Sequence, residues 1–301
     1  METSANNYAS ACPACGADRG HRVALGRKHG LCLHRCRACG LVYVDPRPDN
    51  QSVQRMYDAN YFQGGGFTCY GYRDYAALGQ LKALTFRRWI QDLGALCRPG
   101  TLLDVGCATG LMLDVARDAG WRASGLDVSE YAVAQARQRG HTVYCGMAGE
   151  TELPVRDFDA ILMLDLPEHT PEPARQFAWA VTYLRPGGLL YIVTPDAGSL
   201  SARLQGKAWP HMKPREHLCL FTRRAMTLAA GSAGLRVVSI RSATKAMTIA
   251  HLATELCETN PGVGRLLGLV VRWAPALAQR PFFLTLGEMC AVLAKPGNGE
   301  R

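Results

Sequence analysis

The segment "TLLDVGCATGLMLDVARDAGWRASGLDVS" constrains this chain more than any other. Thr101–Val105 reads as a short buried strand, and Gly106-Cys-Ala-Thr-Gly110 is a glycine turn. The apolar spacing of Leu111–Ala119 predicts a helix, and "RASGLDVS" predicts a second strand ending at Asp127. Strand, turn, helix and strand make a βαβ unit, which places the chain among α/β folds. Its acid, Asp127, lies 21 positions after the first glycine of the turn. Glycines there let the backbone approach a ligand, and an acid closing the second strand binds a ribose diol. A dinucleotide fingerprint would read G-x-G-x-x-G, whereas this turn reads D-x-G-x-x-x-G with Asp104 on the strand end. Pyrophosphate would be repelled by that carboxylate.

The N-terminus carries a second signal. Cys12-Pro-Ala-Cys15-Gly16 is followed by Cys36-Arg-Ala-Cys39-Gly40, a C-x2-C-x20-C-x2-C spacing at the edge of the zinc-ribbon range. Thiolates offer zinc both softness and charge neutralisation. The glycine after each second cysteine tolerates the positive φ that a metal knuckle demands. Cys12, Cys15, Cys36 and Cys39 are therefore expected to form a closed structural zinc site, a redox dithiol or free thiols being the alternative. Cys32, His34, His29 and His21 are nearby competitors.

The balance of the 301 residues is that of a globular protein, with 48% hydrophobic and 20% charged residues. A net charge of +9 leaves nucleic acid, phosphorylated metabolites and acidic carriers open as partners. Residues 1–20 lack a secretory leader pattern, and of the twelve cysteines the eight outside the knuckles have no framework spacing, which fits a reducing cytoplasm. "GVGRLLGLVVRWAPALA" is too short and too interrupted to span a bilayer. Arg265 and Arg272 share a helix face there, so an amphipathic helix on the protein's own core is expected, with a dimer or membrane-surface contact as the other reading. "DPRPDNQSV" reads as a linker, and Ala76–Leu96 recovers helical spacing through Leu78, Leu81, Leu84, Trp89, Leu93 and Leu96. Tyr57, Tyr61, Tyr70 and Tyr72 form either a lid or an aromatic seam under the first helices.

Asp104 with the glycine turn resembles motif I of the class I S-adenosylmethionine-dependent methyltransferases. The resemblance continues in "FDAILMLDLPEHTPEP", in the "L-x-P-G-G" turn of "YLRPGGLLYIVTPDAGSL", in "WPHMKPREHLCLFTRRAMTLAAGSAGLRVVSI" and in "LGEMCAVLAKP". With the cysteine knuckles in front, it is similar to natural-product, sugar and ubiquinone-pathway methyltransferases. It implies a doubly wound, seven-stranded Rossmann-like α/β sheet with a small zinc ribbon and a helical lid. The ribbon would occupy residues 1–45, linker and lid helices 46–96, and the cofactor-binding domain 97–301, with a helical insertion at about 246–282.

The resemblance implies S-adenosylmethionine held by Asp104, Gly106, Cys107, Gly110, Asp127, Val128, Glu150, Leu164 and Tyr61. Asp104 would face the amino-acid end, Asp127 the ribose, and Glu150 the adenine amino group beside Met147. Ala108 departs from the family, which more often has glycine there; a methyl group is expected to fit. Asp165, Glu168 and His169 could bind a divalent cation, as in the ubiquinone-pathway enzymes. Glu216 and His217 make the best candidate base pair, with His169 also near the chemistry, while Trp209, His211, Lys213 and Arg215 could line the acceptor pocket. The expected function is methyl transfer to a small, anionic or carrier-bound acceptor. An RNA methyltransferase gripping RNA through its ribbon and a cofactor-binding scaffold without catalysis are the competing readings. Against RNA, the ribbon's stretch Gly16–Gly40 has basic residues but lacks the stacking aromatics that single-strand recognition uses.

Overall fold

The computed structural model describes residues 11–56, 75–259, 261–297 and 299. Three strands open the chain: β1 (Arg22–Lys28), β2 (Leu31–Cys36) and β3 (Val42–Val44). Two helices follow, α1 (Asn50–Arg55) and α2 (Tyr75–Gly94). The βαβ unit comes next, as β4 (Thr101–Val105), α3 (Leu111–Asp118) and β5 (Arg122–Asp127), within one residue of the sequence expectation. Then come α4 (Glu130–Gln138), β6 (Thr142–Cys145), β7 (Phe158–Leu164), α5 (Pro173–Tyr183) and β8 (Leu184–Pro195). A short helix α6 (Leu200–Gln205) leads to β9 (Cys219–Leu220), α7 (Arg223–Ser232), β10 (Arg236–Ser242) and β11 (Lys245–Met247). The chain finishes with α8 (Ile249–Thr259), α9 (Pro261–Trp273), α10 (Pro275–Ala278), β12 (Phe282–Leu284) and β13 (Glu288–Ala294).

Seven strands form the central sheet in the order β10-β13-β8-β7-β4-β5-β6. β4, β5, β6, β7 and β8 are mutually parallel, and β13 runs antiparallel to both of its neighbours. This is the doubly wound sheet expected from sequence. Both faces are covered, which is why the central strands read as nearly continuous apolar runs. Leu102, Leu162, Tyr191 and Val292 pack on one face with Trp89, Ile90 and Leu93 of α2. Leu103, Ile161, Leu190 and Leu293 pack on the other with Phe177 of α5 and Met226 of α7. Leu96, expected in the α2 stripe, falls beyond the helix end and is exposed, while Ile90 takes a buried place instead.

β1, β2 and β3 are joined by β9 into a second antiparallel sheet. Val42 pairs with Leu220 and Tyr43 with Cys219, so a strand from the second half of the chain completes the N-terminal ribbon. The core follows the same join, because Leu33, Leu41 and Val44 belong to one buried cluster with Leu218, Leu220 and Phe221. Thr222 stitches the two together: its hydroxyl donates to the Cys39 carbonyl at 2.7 Å and accepts from the Ala225 N–H at the start of α7. Between β11 and β12, which pair with each other, lie α8, α9 and α10, a helical insertion between two paired strands.

Candidate active site

The C-terminal ends of β4, β5 and β7 open into a cavity of about 780 Å³. Strand ends of an open α/β sheet are where such folds bind ligands, because the turns leaving the sheet diverge there. Asp104 comes off β4, is almost fully buried and lines the cavity. Burial, with the nearby negative Asp127 second, pushes its carboxyl up to about 7. Asp127 closes β5 and accepts from the Ala108 N–H at 2.8 Å and the Ser129 N–H at 2.9 Å, so it clamps the glycine turn onto the second strand. Burial raises its carboxyl, opposed by those backbone donors.

Two glycines of the turn differ in their reason for being glycine. Gly106 lines the cavity at φ +78°, where a Cβ would meet Leu166 at 3.3 Å. Gly110, expected to contact the cofactor, is absent from the wall. It starts α3 at φ +88°, and a Cβ there would stand 3.0 Å from His141 and 3.2 Å from Ala136. Its absent side chain lets α3 approach α4. The Ala108 methyl group is accommodated, but at φ +47°, in the left-handed region that glycine favours. Cys107, Val128 and Leu164 all line the cavity.

Glu150 does not. Its half-exposed carboxylate accepts from Asn50 Nδ2 at 2.6 Å and lies 3.9 Å from Arg175. Met147 is on the wall, and so is Gln176, whose buried Oε1 has no hydrogen-bond partner among the described residues. Sequence gave no signal for Gln176, since a glutamine in the first turns of α5 reads as surface. Tyr61 and the neighbouring tyrosines fall outside the described residues.

The opposite wall is built by His169 from the β7 exit, Trp209, His211 and Lys213 from the loop before β9, and Lys245 from β11. Lys245 Nζ donates to Asp165 at 3.1 Å and to Glu288 at 2.6 Å. Those two carboxylates hold it above the ordinary lysine range against the cost of burial. In return Lys245 keeps Asp165 below the usual carboxylate range, although desolvation acts the other way. Glu288 was missed in the sequence. Its signal was a lone acid in "EMCAVLA", every residue of which is buried. His211 Nε2 lies 3.9 Å from the same Glu288.

The expected base pair is placed differently. His217 and Glu216 are not on the cavity wall. His217 donates through Nδ1 to the His211 carbonyl at 2.7 Å, and the Glu216 carbonyl receives His169 Nδ1 at 3.1 Å. Glu216 therefore acts through its backbone on a different histidine, and its carboxylate does not orient His217. Burial, then His169, drives His217 well below the ordinary histidine range, and burial takes His169 to about 4. Of the expected lining residues, Trp209, His211 and Lys213 are on the wall and Arg215 is not.

The expected cation cluster also changes membership. Asp165 adopts φ +50° and turns to Lys245. Donor atoms of Glu168, His169 and His217 instead lie within 4.8 Å of one another. Glu168 is buried, accepts from Thr194 at 2.8 Å, and is raised well above its usual range by burial and by Asp165. A cation at this place would be held by Glu168, His169 and His217.

In the ribbon, the sulfurs of Cys12, Cys15, Cys36 and Cys39 converge within 4.8 Å. Cys12 and Cys39 are 3.6 Å apart and Cys15 and Cys36 3.7 Å. Zinc–sulfur bonds of ~2.3 Å at tetrahedral angles put sulfurs ~3.8 Å apart, so the four thiols fit a zinc ion and are too far apart for disulfides.

Sheet order, the acid–glycine turn and the cavity at the strand ends define a doubly wound S-adenosylmethionine-dependent methyltransferase fold. The family described as "Methyltransferase domain" matches residues 78–240, more than half of the sequence, and the chain belongs to that family. Among curated relatives, a ubiquinone biosynthesis O-methyltransferase of Thiobacillus denitrificans is 30% identical over 123 residues, covering 38% of this chain and 52% of that protein. The enzyme of the same description from Aromatoleum aromaticum is 31% identical over 113 residues, covering 35% and 48%. The chain thus spans about half the length of the curated relatives it matches. A solved geranyl diphosphate methyltransferase is 16% identical with a TM-score of 0.49, over 72% of this chain and 80% of that one.

Proposed function

We propose that this chain transfers the methyl group of S-adenosylmethionine to a small-molecule acceptor. One observation carries the reading: a single cavity of about 780 Å³ holds Asp104, Gly106 and Asp127 at one side and His169, His211 and Lys245 at the other. That size suits a cofactor with a small acceptor beside it. When bound, the cofactor supplies an electrophilic sulfonium methyl. Asp104 would face its ammonium group, Asp127 its ribose hydroxyls, and Met147 with the Gln176 amide its adenine. Orientation of an acceptor against the methyl group and exclusion of water by buried Trp209 can supply ~7–11 kcal/mol of the barrier. His211 takes the role of base, because it is on the wall beside Glu288, with His217 fixing its loop from behind. Lys82 and Lys213 on the wall and the net charge of +9 support an anionic acceptor of natural-product or sugar biosynthesis. The four-cysteine cluster is read as structural zinc. The scattered spacing of the cysteines outside that cluster supports a reducing compartment.

Methyl-labelled S-adenosylmethionine incubated with extract of the native host, followed by size separation and RNase treatment, tests this. The expected label is in small, RNase-resistant product, and His211→Asn is expected to lower kcat by ~10²–10⁴-fold for an alcohol or carbon acceptor. His217→Asn should cost less. Label confined to large, RNase-sensitive material would replace this reading with RNA methylation.

A further inference from the structure

The helical insertion has two faces with different fates. On α8, His251, Leu252 and Leu256 turn inward and line the cavity. α9 packs on α8 so closely that a Cβ on Gly264 would come within 2.7 Å of the Cys257 Cα. That side of α9 is satisfied. The other side is not: Leu266, Leu269 and Trp273 share a helix face and are 63%, 51% and 79% exposed, and Leu277 of α10 continues it at 52%. These side chains have the spacing of a core-facing stripe and no core in front of them among the described residues.

The charge around the stripe is one-sided. From Pro261 to Leu284 the sequence contains Arg265, Arg272 and Arg280 and no Asp or Glu. All three arginines are exposed, and the Arg272 guanidinium lies over the Trp273 ring at 5.8 Å. Leucines with a tryptophan at the rim and arginines alongside are what a helix lying in a bilayer interface needs, since apolar side chains enter the acyl boundary while cations meet headgroup phosphates. A second copy is a poor fit, because a two-fold contact through this patch would bring its arginines against their own images. No described helix is long and apolar enough to cross a membrane, so the element would lie on the surface.

We propose that the outer face of α9 and α10 docks on an anionic lipid bilayer. Flotation of the full chain with vesicles of equal phosphatidylcholine and phosphatidylglycerol, against phosphatidylcholine alone, tests it. The chain should float with the anionic vesicles only, and less so at high salt. Each basic side chain at such a surface adds roughly fivefold to partitioning. The doubly substituted Arg265→Glu, Arg272→Glu chain should therefore bind on the order of twenty-five-fold more weakly or worse, and Trp273→Ser should also weaken binding. All three positions are exposed, so the thermal melting transition of each variant should match the parent and separate lost docking from lost folding. Failure to float with anionic vesicles, or equal flotation with neutral ones, overturns the proposal. So does a dimer in sedimentation that Trp273→Ser converts to monomer, which would give the face to a second copy.

Discussion

Asp104 shows how one buried carboxyl can report the ligand. Its ordinary value is 3.8, and in the folded chain it stands near 7 because burial, and then Asp127, disfavour the charged form. The folded state therefore holds the proton more tightly than the unfolded one. Asp104 lowers stability as pH rises from 3.8 towards 7, and the loss is complete above that. A ligand with an ammonium group prefers the ionised acid, so S-adenosylmethionine affinity should rise up to about tenfold per pH unit below 7 and level off above it. Titration calorimetry across that range checks this, and Asp104→Asn should bind weakly with little pH dependence. Ala108 makes a second prediction at this scale. At φ +47° an alanine carries strain of about 1 kcal/mol, partly offset by the chain entropy that glycine adds to the unfolded state. Ala108→Gly should raise Tm by about 1 °C or less in differential scanning calorimetry. Both acids of the βαβ unit were readable in sequence, because the strand–turn–helix pattern fixes where Asp104 and Asp127 point. His217 was not. Its dipeptide with Glu216 looked catalytic, but burial and the carbonyl of His211 decide its state, and neither is written in neighbouring residues.

Elements were legible to the degree that their own period sets them. β4, α3 and β5 followed from local apolar spacing. β9 did not, because two residues carry no period; Cys219 and Leu220 are a strand only through pairing with Tyr43 and Val42. The ribbon's knuckles were readable from cysteine spacing, yet its fourth strand comes from nearly two hundred residues later in the sequence. Thr222 holds that junction, capping α7 and donating to the Cys39 carbonyl. Thr222→Val keeps the shape and removes both bonds. A lost N-cap and a lost hydrogen bond together should cost about 2 kcal/mol in denaturant unfolding. Thr222→Ser should recover most of it, and full stability in the valine variant would show that the ribbon is held by its apolar core alone.

Across the whole molecule, the two walls of the cavity depend on different supports. The wall carrying Asp104, Gly106 and Asp127 grows directly from β4 and β5 in the central sheet. The wall carrying Trp209, His211 and Lys213 is a loop hung between ribbon and sheet. Its end is fastened by Val44 N–H to the Leu218 carbonyl, by Leu218 N–H to the Glu168 carbonyl, and by β9 pairing with β3. Loosening the ribbon should therefore disturb the acceptor and spare the cofactor. A metal held by the four-cysteine cluster would supply much of the folding energy of so small a ribbon. Removing the metal with a chelator, or substituting Cys36→Ser, should lower kcat/KM for the acceptor by more than about tenfold, since small displacements of reacting groups are enough for that. The S-adenosylmethionine Kd should move by less than about threefold in the same preparation, because no hydrogen bond of Asp104 or Asp127 reaches the ribbon among the described residues. Loss of both properties together would mean that the two sheets unfold as one unit. Loss of neither would mean that the acceptor loop stands without the ribbon.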